Sequence, residues 1–134
     1  MAQPILPFAL PLLVCDDYLQ TVGGKLDLSG SFHTIRPDSY PHVHEFFCVV
    51  AHLTGGLGTV TTFIDVRVAE TGELVFWTHP HQFDIPNRDI VIRLVNGMEG
   101  VPFPRPGLYL IELLCENTCI ADFRIRLAEP TGGA

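Results

Sequence analysis

Positive charge is what this chain has least of. Lys25 is its single lysine, and the eight Lys and Arg residues face fifteen Asp and Glu, a formal charge of −7 over 134 residues. A phosphate backbone is repelled by such a balance, and the few cations are scattered rather than clustered, so nucleic acid is excluded as a partner. Charge of either sign is scarce, at 17% of residues, against about 25% in ordinary soluble domains. With 47% hydrophobic residues, part of the apolar surface is expected to be covered by a partner, with a homodimer as the first expectation.

Long apolar runs are missing as well. No stretch approaches the roughly 20 residues of a membrane-spanning helix, so no membrane role is expected. The opening Met1 to Cys15 is apolar, but it holds no Lys or Arg and is interrupted by Pro4, Pro7 and Pro11. A secretory signal needs a basic start and an unbroken apolar segment. The four cysteines, Cys15, Cys48, Cys115 and Cys119, show no Cys-x-x-Cys spacing. Three of them sit in apolar strands, where a free thiol behaves as a small buried hydrophobe. Reduced cysteines and a cytoplasmic location are expected. Cys115 and Cys119 would face each other across a three-residue loop and be offset by a two-residue one.

No segment has a convincing helical period. Instead the chain holds about eight candidate strands, separated by turns rich in the 12 glycines and 11 prolines. The clearest signal is the run from Phe103-Pro104-Arg105-Pro106-Gly107 through Leu108 to Cys115, a short polar turn at Glu116-Asn117-Thr118, and the run to Leu127. It reads as a hairpin. In its second strand Ala121, Phe123, Ile125 and Leu127 are expected inward, with Asp122, Arg124 and Arg126 outward.

The same period of two recurs upstream. Phe8 to Cys15 and Lys25 to Ile35 are strand candidates, the latter interrupted by Gly30, which suggests a bulge or a close approach. Val43 to Leu53 is apolar on both faces, as for a central strand or one covered by a partner. Thr59 to Ala69 places Val60, Ile64, Val66 and Val68 on one face and Thr61, Asp65 and Arg67 on a face expected to meet water. Leu74 to Phe83 contains Pro80, which cannot donate to a ladder, so it is expected at a sheet edge. Asp89 to Val95 directs Ile90, Ile92 and Leu94 inward.

Short strands at this spacing predict a single-domain, all-β antiparallel sandwich of about seven to eight strands, immunoglobulin-like, over residues 1–134. Residues 1–7 form an extended N-terminal arm in this reading, and residues 129–134 a flexible C-terminal tail. The order Pro7-Phe8-Ala9-Leu10-Pro11-Leu12-Leu13-Val14-Cys15-Asp16-Asp17, then Gly24-Lys25-Leu26-Asp27-Leu28-Ser29-Gly30-Ser31-Phe32, then Phe103-Pro104-Arg105-Pro106-Gly107-Leu108-Tyr109 resembles a family of small bacterial β-sandwich proteins of unknown function. The likeness spans about residues 7 to 127. It implies an immunoglobulin-like fold and brings no catalytic or ligand residues.

Chemistry is sparse. His42-Val43-His44 and His79-Pro80-His81 are both His-x-His pairs, and residues two apart on a strand point the same way about 6.6 Å apart. If their strands were neighbours, the four imidazoles would surround a Zn²⁺ ion, or three and a water would make an open hydrolytic site. The bland reading is a strand start and an exposed edge. His44, Cys48 and His52 are expected on one face, but each step of four residues covers about 13 Å, too long for one coordination sphere. Trp77, with Phe76 and Phe83, offers an aromatic platform for a sugar or peptide, although edge aromatics more often serve a core or interface. Asp16-Asp17 reads as a solvated strand end. No serine-nucleophile elbow surrounds Ser29, Ser31 and His33, and Gly55-Gly56-Leu57-Gly58 lacks the Lys of a phosphate loop. The expectation is therefore a non-enzymatic interaction module that self-associates, with a zinc-type metal protein or a carbohydrate- or peptide-binding module as alternatives.

Overall fold

The structure, a computed structural model, describes residues 3–130. The outermost residues of the expected arm and tail, 1–2 and 131–134, lie outside the described residues. Eleven strands form two sheets: β1 (Phe8–Ala9), β2 (Leu13–Gln20), β3 (Leu26–Ser31), β4 (Thr34–Ile35), β5 (His42–Thr54), β6 (Gly58–Val68), β7 (Leu74–Trp77), β8 (His81–Ile85), β9 (Val91–Phe103), β10 (Gly107–Cys115) and β11 (Thr118–Leu127). The count exceeds the expected eight because prolines and glycines split longer apolar runs. Pro11 separates β1 from β2, and Pro80 separates β7 from β8.

The first sheet is organised around β5. One edge of β5 pairs with β9 along nearly its full length; the other takes β1 at Phe8↔Thr54 and then β2 from Leu13↔Val50 to Cys15↔Cys48, with β3 outside β2. In the second sheet the order is β4-β11-β10-β6, and β7 and β8 share the far edge of β6. The Leu74 to Phe83 segment is thus an edge, as Pro80 predicts. Every pairing is antiparallel except β4 with β11. Facing side chains fill one main core in which Phe47, Val49, Leu53, Ile64, Met98, Phe103, Ile111, Leu113, Ile125 and Leu127 are all but inaccessible. The alternations expected of β6 and β11 are present, with Ile64, Val66, Ile125 and Leu127 inside.

Three local features decide what the surface presents. Gly30 has a φ of 69°, and a Cβ there would stand 2.3 Å from the Asp16 carboxylate. The missing side chain is what lets that carboxylate lie across β3. The hairpin closes through Glu116 and Asn117, both at positive φ, the two-residue turn whose twist matches the flanking strands. Leu114 therefore pairs with Cys119 and Cys115 with Thr118, so Cys115 and Cys119 are offset and free.

The third feature is a change of phase. From Leu53 back to Phe47 the odd residues of β5 enter the core, yet His42 and His44 enter it on even numbers, packed on Phe103 and Phe47. Their partner β9 shifts with it, from Met98 to Val101 and Phe103. Glu45 and Gly100 drop out of the ladder between them, and Gly100 has a φ of 64°. One extra residue in each strand turns both over together.

The arm packs on its own domain. Ile5 N–H donates to the Leu57 carbonyl at 2.8 Å, and Leu57 N–H returns to Ile5 at 3.0 Å. At the other end Arg36 donates to the Glu129 carbonyl at 3.0 Å. The corner into β10 is held by Tyr109, whose hydroxyl donates to the Arg105 carbonyl at 2.7 Å and accepts from the Arg105 N–H at 3.3 Å. Its ring meets Phe103 edge-on at 5.0 Å. This is the tyrosine corner of immunoglobulin-like sandwiches, and it explains why Tyr109 follows Pro106-Gly107. Tyr109→Phe is expected to cost about 1–2 kcal/mol, because both Arg105 backbone groups lose a partner while packing is kept. Urea unfolding should show a lower midpoint at an unchanged slope; an unmoved midpoint would show that water replaces the hydroxyl.

Candidate functional site

The two sheets differ in what they turn outward. Because Phe47, Val49, Ala51 and Leu53 point to the core, Cys48, Val50, His52 and Thr54 of β5 point away from it, joined by Leu13 and Cys15 of β2. Register builds this outer face in rows: Phe8–Thr54–Val91, then His52–Arg93, then Leu13–Val50–Val95, then Ser31–Cys15–Cys48–Gly97. Phe46 lies over Gly97, where a Cβ would come within 3.1 Å of its ring. The rows hold no carboxylate; their centre, Val50 with Cys15 and Cys48, is inaccessible, and the exposed apolar side chains lie at the margins. Phe8 is 70% exposed, Val91 64%, Leu10 54% and Leu13 43%. The apolar pattern on both faces of β5, visible in the sequence, here acquires its location.

Cys15 and Cys48 lie at the centre of that face, directly opposite each other and inaccessible. Burial pushes both thiols up, Cys48 to about 11. Cys115 is likewise buried and pushed up to about 11. None is a thiolate at neutral pH, so none is a ready nucleophile or metal ligand.

The second sheet presents charge. Cross-strand register lines up Trp77 of β7, Asp65 of β6, Glu112 of β10 and Asp122 of β11 in one row. Arg67 Nε donates to Asp65 Oδ2 at 3.2 Å and lies 3.3 Å from Glu112 Oε1. Asp65 was expected to meet water; instead its side chain is only 2% exposed, and its Oδ1 is buried without a partner. Burial first, and then the neighbouring Glu112, raise its pKa to about 6. One guanidinium between two adjoining carboxyls balances only one charge, which adds to the cost of ionising Asp65. Nothing in the local sequence marks this pair, since Asp65 reads as an ordinary outward position and Glu112 lies far off in the chain.

Of the histidines, His42 and His44 come together. His42 Nε2 and His44 Nδ1 are 3.1 Å apart, with ring centroids at 5.3 Å. His42 stacks on Phe103, and His44 packs against Phe32 and Phe47. Desolvation, then His42, lowers the His44 pKa, partly opposed by Asp16. His79 and His81 lie elsewhere. Thr78 to Pro80 is not strand, so the period-two geometry expected of that pair does not hold. Both line a polar groove between the β7–β8 edge and residues 93–97 of β9. The His42–His44 end meets β9 at Val101 and Phe103, roughly 15–20 Å further along at ~3.3 Å per residue.

The four-imidazole zinc site, and its three-imidazole open variant, therefore do not form. The pairs belong to different sheets and different ends of β9. Among the described residues no group of three or more His, Cys, Asp or Glu is placed to hold a metal ion. His44 also does not share a face with Cys48 and His52, because the phase change separates them. Trp77 is 62% exposed at the sheet edge beside Asp65, whereas Phe76 and Phe83 pack against the core. The three aromatics do not make one platform.

Residues 11–128 match the family described as a family of unknown function, DUF6941. No curated protein matches the chain. Among solved structures it is similar to the CARDB domain of a Pyrococcus furiosus protein, determined in complex with di-metal ions. That likeness is at 16% identity, covering 92% of this chain and 90% of that one with a TM-score of 0.38.

Proposed function

Since the chain belongs to DUF6941, a family to which no activity is assigned, we propose that it is a non-enzymatic interaction module that self-associates through the outer face of its first sheet. The observation that carries this is the apolar row structure around Val50, with Phe8, Leu10, Leu13 and Val91 exposed at its margins. Exposed apolar surface of this kind on a sheet otherwise satisfied by its own strands is an association surface. A second copy is the natural occupant, because a two-fold axis brings the exposed apolar side chains Phe8, Leu10, Leu13 and Val91 against their counterparts. Arg93 is the charge this face carries, and its Nη1 donates to the Gly24 carbonyl at 3.1 Å at an exposed position. The charged face of the second sheet remains outside, keeping the dimer soluble.

The test is sedimentation velocity on untagged protein across a concentration series, with Leu13→Glu beside it. The wild type is expected to be dimeric and Leu13→Glu monomeric with an unchanged melting temperature, since Leu13 is 43% exposed and the added charge meets water in the monomer. A strictly monomeric wild type at high micromolar concentration would overturn the proposal.

A further inference from the structure

We propose that His42 and His44 form a two-imidazole chelate for a first-row divalent cation, copper(II) held most tightly and zinc(II) more weakly. The site is separate from the apolar association face and does not depend on it.

The two facing nitrogens already stand at a chelate's separation, and a modest turn of each ring out of the hydrogen-bonded pose aims both lone pairs at one ion. Two nitrogens bound to one ion at about 2.0–2.1 Å stand about 2.9–3.4 Å apart, for cis-tetragonal to tetrahedral angles. The observed separation of His42 Nε2 and His44 Nδ1 is 3.1 Å. The rings are flanked by aromatic walls before an ion arrives: His42 stacks on Phe103 with 14° between the planes, and His44 packs against Phe32 and Phe47. The phase change at Glu45 and Gly100 is what turns both imidazoles onto these aromatic walls. Both residues remain half-buried rather than sealed, so an ion can reach them and water can fill its remaining positions.

The protonation chemistry balances. In the metal-free pair one facing nitrogen carries the proton of the hydrogen bond and the other accepts it. Metal binding needs both facing nitrogens as lone-pair donors. The proton of the hydrogen-bonding ring therefore moves to its other nitrogen, leaving N–H on His42 Nδ1 and His44 Nε2 and releasing none. With two protein ligands the site is too sparse for a structural zinc, which takes four. Imidazole pairs completed by water suit the tetragonal preference of copper(II), which also heads the affinity order.

The experiment is calorimetric titration of the full-length protein with copper(II) and zinc(II) salts, with electron paramagnetic resonance of the copper-loaded sample. One copper per chain with hyperfine structure from two imidazole nitrogens is expected. His42→Gln and His44→Gln should each weaken binding by at least about tenfold through loss of one of two ligands, while the double variant H79Q/H81Q binds as the wild type does. Copper retained unchanged by H44Q, lost in H79Q/H81Q, or showing fewer than two coordinated imidazoles would overturn the proposal. The resonance spectrum of the wild type decides the ligand count even if a variant fails to fold.

Discussion

Asp65→Asn is expected to stabilise the protein at pH 8 by about 3 kcal/mol while leaving its stability at pH 4 nearly unchanged. The folded Asp65 carboxyl titrates near pH 6 against an ordinary value of 3.8, a difference of about two pH units at 1.36 kcal/mol each. The sign follows from proton binding. Between those two values the folded chain holds a proton that the unfolded chain has released, so stability is lost as pH rises through the window. Above it, a buried carboxylate faces Glu112 with only Arg67 between them. Asparagine keeps the shape, has no charge to desolvate, and leaves Arg67 and Glu112 as a balanced pair.

Urea unfolding of both proteins from pH 4 to pH 8 measures this directly. If Asp65→Asn instead destabilises at pH 8, the Asp65 carboxylate is a net favourable partner of Arg67 and burial does not hold its carboxyl protonated. The variant also exposes an opposite contribution. His44 has a folded pKa below its ordinary 6.5, so the unfolded chain binds the extra proton and this part of the stability is lost as pH falls below about 6.5. With the Asp65 slope removed, a decline on the acid side should remain.

Phe47→Ala is expected to cost about 3–5 kcal/mol, the range for emptying an aromatic site in a packed core. Against a total of about 5–15 kcal/mol for an ordinary domain, that is a large fraction of the whole. Phe47 is inaccessible, pairs with Met98, and is met edge-on by Phe32 at 6.1 Å. It also supports His44 at 5.7 Å, so its removal loosens the imidazole pair as well as the core. Phe46→Ala is the control, since the preceding side chain lies on the opposite face over Gly97 and stays half-exposed. The midpoint of urea unfolding should fall much further for Phe47→Ala. Equal losses at the two positions would mean that β5 does not pack with Phe47 inside.

The sequence by itself determined the class of this fold. Period-two alternation in Thr59 to Ala69 and in the closing hairpin, Pro80 in an edge segment and Gly30 at a bulge or close approach are all local signals. Each follows from the φ, ψ and side-chain direction of a few consecutive residues, and each has its counterpart in the structure. The apolar character of both faces of β5 was equally plain. What only the tertiary structure decided is which residues share a row. Asp65 and Glu112 are 47 positions apart, and Cys15 and Cys48 are 33 apart, yet each pair stands directly opposite across a ladder. The two histidine pairs look equivalent as text, but one is packed on aromatic walls and the other borders an edge groove. The reason is that strand neighbours and their register are chosen by the summed burial of whole sheets, and one unpaired residue, as at Glu45, reverses every side chain beyond it.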